Sequence, residues 1–206
     1  NFDNRTGFIL GTTTGQIQTW ESAVLHFFKG ELASSALASP LRSQSLGLLA
    51  QQIKSELLMK GPSLLVSSAC TASTQAIGLA CAWIQSGQID RCLVGGVEVL
   101  CDLTVEGFRS LQLLSPEPAT PFSKDRKGIN LSEGAAFLCL ERADQATAPA
   151  LARVSGFGMS SDGYHMTAPH PEGGGSRDAM RQALTRAELG PSDIDWVHAH
   201  GTGSEH

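Results

Sequence analysis

Between Thr71 and Ser86 the chain carries no charged side chain, and Ala72, Ala76, Ile77, Leu79, Ala80, Ala82, Trp83 and Ile84 make the stretch strongly apolar. A helix that apolar is usually buried inside a sizeable domain. Immediately before it, Leu64-Leu65-Val66 reads as an apolar strand, so Ser67-Ser68-Ala69-Cys70 has to turn a strand sharply into a buried helix. That turn puts Cys70 at a helix N-terminus, where unpaired backbone N–H groups and the helix dipole favour negative charge. No acidic residue in the first turn offsets the dipole, and such a setting raises the thiolate fraction of a cysteine. A nucleophile on a strand-to-helix elbow is the same physical device as the serine elbow of hydrolases. The plainer reading is a structural cysteine, since free Cys is among the most buried residue types; the motifs described below weigh against it.

Composition narrows the rest. The 206 residues are 41% hydrophobic and 17% charged, with 22 glycines, which suits a globular protein with a real core and tight turns. The net charge is −5 and the pI about 5.6, with no basic block, so a nucleic-acid partner is not expected. No apolar run is long enough to span a bilayer. The five cysteines, Cys70, Cys81, Cys92, Cys101 and Cys139, are odd in number and lack metal-type pairs, which fits reduced thiols in a cytoplasmic protein. The sequence starts within a few residues of a strand and stops at His206, just after a motif-like loop, so both ends are expected to be cuts through a larger fold.

Short apolar strands alternate with helical patterns, which argues for α/β layering. Strands are predicted at Thr6–Leu10, Leu64–Val66, Arg91–Val97, Ala135–Glu141, Leu151–Gly156 and Asp195–Ala199. Helices are predicted at Trp20–Phe28, Ser43–Lys60, Thr71–Ser86 and Arg177–Leu189. Gly61-Pro62 and Gly190-Pro191 serve as stops, and Ser176 as the cap of the last helix. The final strand delivers His200 to its C-terminal end, where α/β sites gather.

Four segments carry chemistry together: the Cys70 elbow; Pro121-Phe122-Ser123-Lys124-Asp125-Arg126 with Glu133-Gly134-Ala135; Ser160-Ser161-Asp162-Gly163-Tyr164-His165-Met166-Thr167; and His198-Ala199-His200-Gly201-Thr202-Gly203-Ser204. In these residues, their order and their rough spacing, the chain closely resembles the β-ketoacyl-acyl carrier protein synthases, the condensing enzymes of fatty-acid and polyketide assembly. The resemblance runs over essentially all 206 residues. It implies a thiolase-like layered α/β/α/β/α fold, incomplete at both ends. Residues 1–206 would then be the central part of a ketosynthase domain: most of its N-terminal half plus the start of its C-terminal half, with the boundary near 142–155.

The activity so implied is a decarboxylative Claisen condensation. Cys70 would take an acyl group from an acyl carrier protein, giving a thioester and ping-pong kinetics, and a decarboxylating malonyl unit on a second carrier would attack it. His200 matches the first of two family histidines that hydrogen-bond the malonyl thioester carbonyl. Thr202 and Ser204 match hydroxyls that contact the carrier's phosphopantetheine arm, with Ser204 in place of the usual Thr. The Cys70 N–H would supply half of an oxyanion hole. No cofactor and no metal are implied; the partners are an acyl carrier protein and a second subunit, in a homodimer or a heterodimer with a related chain. The stretch from Trp83 to Val97 is expected to contribute to that subunit interface.

Several features depart from the family pattern. The second histidine, its nearby lysine and the Gly-Phe-Gly segment would lie beyond His206, so these residues alone are not expected to be active. Lys127 and Ile129 stand where many relatives carry an acidic residue and a Phe, His198 replaces a frequent Asn, and Ser204-Glu205-His206 departs from the usual Thr-Pro continuation. These changes leave the subfamily open.

Plainer roles fit the remaining residues. His198 alternates with His200 on a strand and is read as structural. The same alternation argues against His198, His200 and His206 as zinc ligands. His165 is expected to pack behind the site, and Lys124, Asp125 and Arg126 with Glu133 to form a supporting ion-pair cluster. Gly95-Gly96 lacks the lysine of a phosphate loop, and Trp83, Phe108 and the other cysteines are assigned to the core. The rival functions are a non-catalytic partner subunit of the chain-length-factor type, against which the presence of Cys70 weighs, and a thiolase-type acyltransferase acting on coenzyme A esters.

Overall fold

The structure, a computed structural model, describes residues 2–146, 148–165 and 169–204. Its centre is β1 (Thr6–Gly11), all six residues of which are buried. Parallel to β1 on one side lies β2 (Ser63–Val66), with Phe8 opposite Ser63 and Gly11 opposite Val66. On the other side lies β3 (Arg91–Glu98), also parallel, with Thr6 opposite Arg91 and Gly11 opposite Gly96. Antiparallel to β3 runs β4 (Gly134–Glu141), which gives the sheet order β2-β1-β3-β4.

A parallel strand buried on both faces needs a layer on each, and the alternation of β1 supplies two cores. Ile9 points to one face, where it packs with Val66, Ile89, Cys92 and Val94 against Ala76, Ala80 and Ile84 of α3 (Ala72–Gln85). Phe8 and Leu10 point to the other, against Ala50, Leu49 and Ile53 of α2 (Leu46–Glu56), together with Met59. The uncharged helix is thus the inner layer that its composition required.

Beyond α3 the layering continues. A Cβ added to Gly78 of α3 would run into the Phe157 ring, and one on Gly156 or Gly158 would collide with the Ala183 or Ala179 carbonyl of α5 (Gly174–Ala187). The 151–159 segment therefore lies between α3 and α5, with bare backbone at each point of close approach. Two further helices, α1 (Gln18–Phe28) and α4 (Asp102–Ser110), flank the sheet's C-terminal edge, and α4 has no counterpart among the elements predicted from sequence.

Other expectations are corrected in detail. Leu151–Gly156 and Asp195–Ala199 are not ladder strands, because neither pairs with a strand among the described residues. The helix expected over Ser43–Lys60 is divided: Pro40–Gln44 is a 3-10 turn, Ser45 is extended, and the α-helix ends before Leu58, whose φ is +53°. Ser176 is not a cap but a residue of the first turn of α5, since Gly173, at φ +63°, starts that helix earlier. Cys139 is exposed rather than in the core. No helix among the described residues is long and apolar enough to cross a membrane.

Candidate active site

The elbow forms as the sequence requires, with one feature that composition did not announce. Ala69 sits in the left-handed region at φ +49°, a conformation that costs a non-glycine residue about 1–3 kcal/mol. A compact set of bonds holds it there. The Thr71 N–H and hydroxyl both donate to the Ser68 carbonyl, at 3.2 and 2.8 Å, and the Ala72 N–H donates to the Ala69 carbonyl at 3.1 Å. Gln75 Nε2 in turn donates to Thr71 Oγ1 at 3.0 Å. Cys70 emerges from this turn exposed, one residue before the Thr71 cap of α3, and its own N–H meets no acceptor among the described residues.

The first turn of α3 is pressed onto the ends of two strands. A Cβ on Gly11 would lie 2.7 Å from the Ala72 and Ser73 backbone, and one on Gly96 would strike Ser73 Oγ. The cysteines inside the sheet are the opposite of Cys70: burial pushes the Cys92 thiol up to about 12 and also raises Cys81. They are inert by position.

Thr202 and Ser204 come together, their hydroxyls 3.1 Å apart. Their loop is clasped by the 113–128 segment: the Gly128 N–H donates to the Gly203 carbonyl at 3.0 Å and Arg126 Nε to the Ser204 carbonyl at 2.6 Å. Gly201 and Gly203, at φ +52° and +90°, supply the left-handed turns, and a Cβ on Gly201 would meet the Phe122 ring at 2.8 Å. His200 is exposed at the start of this loop and forms no hydrogen bond to Cys70. The His198 ring contacts Trp196 edge-on, with centroids 5.5 Å apart.

Lys124 and Asp125 are exposed beside the clasp, and the Asp125 N–H is bonded to Ser123 Oγ at 3.1 Å. An ion pair in this segment joins Lys127 to Glu117 at 3.1 Å. Glu133, expected in a cluster with these residues, accepts the Leu100 N–H at 3.4 Å. Of the Ser160–Thr167 run, Met166 and Thr167 lie outside the described residues, as does His206. Asp162 closes its own loop by accepting the Tyr164 and His170 amides at 3.2 and 3.0 Å. No cluster of His, Cys, Asp or Glu among the described residues could hold a metal ion.

Sequence reasoning missed two carboxylates. Glu98, at the end of β3, accepts the Thr13 and Thr14 N–H groups and the Thr14 hydroxyl, tying down the loop that follows β1. Glu21 of α1 accepts the Asp102 and Leu103 amides at 3.0 and 3.1 Å, capping α4 from a distant helix. Only the lack of a Ser, Thr, Asp or Asn cap at Cys101 hinted at such an outside partner. Between α1 and α4 opens a cleft of about 690 Å3, walled by Ile17, Trp20, Leu46, Leu103, Phe108 and Leu111, with Thr13 and Thr14 at its edge. Phe108, assigned to the core from sequence, is a wall of this cleft.

Comparison with known proteins fits this geometry. A family model described as "Beta-ketoacyl synthase, N-terminal domain" matches residues 1–146, and "Beta-ketoacyl synthase, C-terminal domain" matches 151–206. Nodulation protein E of Rhizobium meliloti is 39% identical over 158 residues, covering 75% of this chain and 39% of its own length. A 3-oxoacyl-[acyl-carrier-protein] synthase 2 of Staphylococcus aureus is 31% identical over 214 residues, covering 99% of this chain, which spans 53% of that relative. Among solved structures, a ketosynthase in complex with its chain length factor from Xenorhabdus doucetiae superposes with a TM-score of 0.86 at 34% identity. That match covers 98% of this chain and 49% of the other. The ishigamide ketosynthase/chain length factor gives 0.89 at 31% identity, over 99% of this chain and 51% of that one.

Proposed function

Because the chain belongs to the β-ketoacyl synthase family, we propose that the protein carrying it is a 3-oxoacyl-acyl carrier protein synthase with Cys70 as its nucleophile. The observation that carries this reading is the exposed thiol on a strained elbow at the N-terminus of a buried helix. The helix dipole and the free N–H groups there favour negative charge on the oxyanion of the tetrahedral intermediate. The thiolate attacks the carbonyl of an acyl thioester; the carrier's thiolate leaves and the acyl group stays on Sγ. A malonyl thioester then loses carbon dioxide, its carbanion attacks the acyl-Cys70 carbonyl, and the Cys70 thiolate departs. His200 donates to the malonyl thioester oxygen as the enolate forms, and Thr202 and Ser204 hold the phosphopantetheine arm. Every covalent step uses the thiol and the two carriers, so the chemistry calls for no cofactor.

The acyl carrier protein is the proposed partner, and the cytoplasm, where carriers and reduced thiols coexist, the proposed location. A dimer belongs to the same reading. The Trp83–Val97 stretch is its proposed contact region. A monomer by light scattering at working concentration would remove that element. The presence of Cys70 weighs against a non-catalytic partner subunit. Substitution tests the reading directly: Cys70→Ala should abolish condensation, whereas Cys70→Gln should lose acylation and keep malonyl decarboxylation. Condensation by the Cys70→Ala protein would overturn it.

A further inference from the structure

Phe122 stands where the backbone does not suit a phenylalanine. The Ser123 N–H donates to the Thr120 carbonyl at 3.1 Å, closing a turn with Pro121 second and Phe122 third. Proline holds its φ at about −65°, and Phe122 has a φ of +65°. That combination is a type II turn, whose third position calls for glycine or asparagine. A bulky side chain at positive φ is an outlier, and such residues persist only where their surroundings over-determine them, most often at functional sites. Burial is not the reason here, because Phe122 is 78% exposed.

The ring is set against the backbone of Gly201, and its tip would lie 2.8 Å from a Cβ built there. Gly201 directly follows His200 and is itself left-handed, at φ +52°. Hydrogen bonds from Gly128 and Arg126 grip this loop further on, at Gly203 and Ser204, whereas the ring bears on the residue next to the histidine. Among the described residues no hydrogen bond or ring contact involves the His200 imidazole, so its direction is set by the backbone that carries it. The turn is also braced from behind. The Ser123 carbonyl accepts Arg126 Nη1 at 3.2 Å, and the same guanidinium reaches the Ser204 carbonyl.

We propose that Phe122 is a positioning residue for His200: its ring, carried on a strained turn, bears on Gly201 and fixes the backbone from which the imidazole projects. The inference rests on the reading of His200 as the donor that stabilises the enolate. Phe122 touches no reacting atom and acts through the histidine. Misplacing a catalytic group by about 1 Å can cost about a hundredfold in rate. Glycine takes the third turn position at no steric cost, so Phe122→Gly removes the ring and relieves the turn, and the variant folds.

The test uses the whole protein carrying this chain and follows two rates: acylation of Cys70 by a hexanoyl-carrier thioester, and condensation of the acylated protein with a malonyl-carrier thioester. Phe122→Gly should slow condensation about 10–100-fold while acylation and the melting temperature hold. Phe122→Met, whose chain reaches about as far as the ring, should keep most of the rate. In a His200→Ala background, Phe122→Gly should cost no more than about twofold further, since it acts through the group already removed. Four results would overturn the role of Phe122 alone: unchanged condensation in Phe122→Gly, an equal fall in acylation, an unfolded Phe122→Gly protein, or the same loss with and without His200. A Met variant as slow as the Gly variant would do so too. Full-rate condensation by His200→Ala would overturn the reading of His200 and this inference with it.

Discussion

Around β1 every strand has a partner and both faces are covered, whereas from Leu151 onward the chain is largely exposed and its strand-like segments carry no ladder. In the first region Phe8, Ile9 and Leu10 are fully buried; in the second, Trp196 is 78% exposed. Position is also enforced differently. The elbow is fixed by packing, with α3 set directly onto the bare backbone of Gly11 and Gly96. The His200 loop is held by a few hydrogen bonds to the 113–128 segment, chiefly Gly128 to Gly203 and Arg126 to Ser204. Within these 206 residues the nucleophile is thus positioned by packing, and the proposed enolate-stabilising loop by hydrogen bonds. Substitutions in the first region should act through stability, and those in the second through chemistry.

The largest effect should come from the tethered side. His200→Ala is expected to lower the condensation rate about 10²–10³-fold, as loss of one oxyanion donor does, while acylation of Cys70 continues. Because His200 is exposed, its melting temperature should shift by no more than about 2 °C. A large fall in Tm would show that the loop is structural and break the contrast. Next in size is a pair of glycines. Gly11→Ala should cost about 1–3 kcal/mol by overpacking, because its Cβ would sit 2.7 Å from the α3 backbone. Gly107→Ala in α4, where a Cβ would meet nothing within 4 Å, should stabilise by up to about 1 kcal/mol, and denaturant melts of both variants measure the difference.

The smallest effect concerns Asp162, whose carboxyl is held below its ordinary value of 3.8 mainly by the His170 and Tyr164 amides. A lowered folded value means a stabilising contribution present above pH 3.8 and lost as pH falls through that lower value. Hydrogen exchange at the His170 and Tyr164 amides, corrected for intrinsic rates, should lose protection on acidification, and Asp162→Asn should abolish that pH dependence. Unchanged protection at low pH would mean that the loop is held by other contacts.

The sheet was legible because its strands are short apolar runs between turn signals, and the uncharged stretch after Cys70 could only be an inner helix. The elbow's strain was not, since Ala69 is no turn residue and its φ is held by the Thr71–Ser68 and Ala72–Ala69 bonds. Helix α4 escaped because Asp102, Glu106, Gly107 and Arg109 break its apolar pattern and its cap comes from Glu21. The Thr202–Ser204 pair was read from resemblance, but its clasp by Arg126 and Gly128 joins residues distant in sequence, which local pattern cannot reveal. The bond from the Leu100 N–H to the Glu133 carboxylate likewise joins residues distant in sequence and could not be read from local pattern.

Two thiols on this surface are exposed, Cys70 and Cys139, and only one stands at a helix N-terminus. The most direct measurement is the intact mass of the protein after incubation with an acyl carrier thioester, followed by peptide mapping. The account predicts one acyl group, on Cys70. A group on Cys139, or no gain in mass, would contradict it.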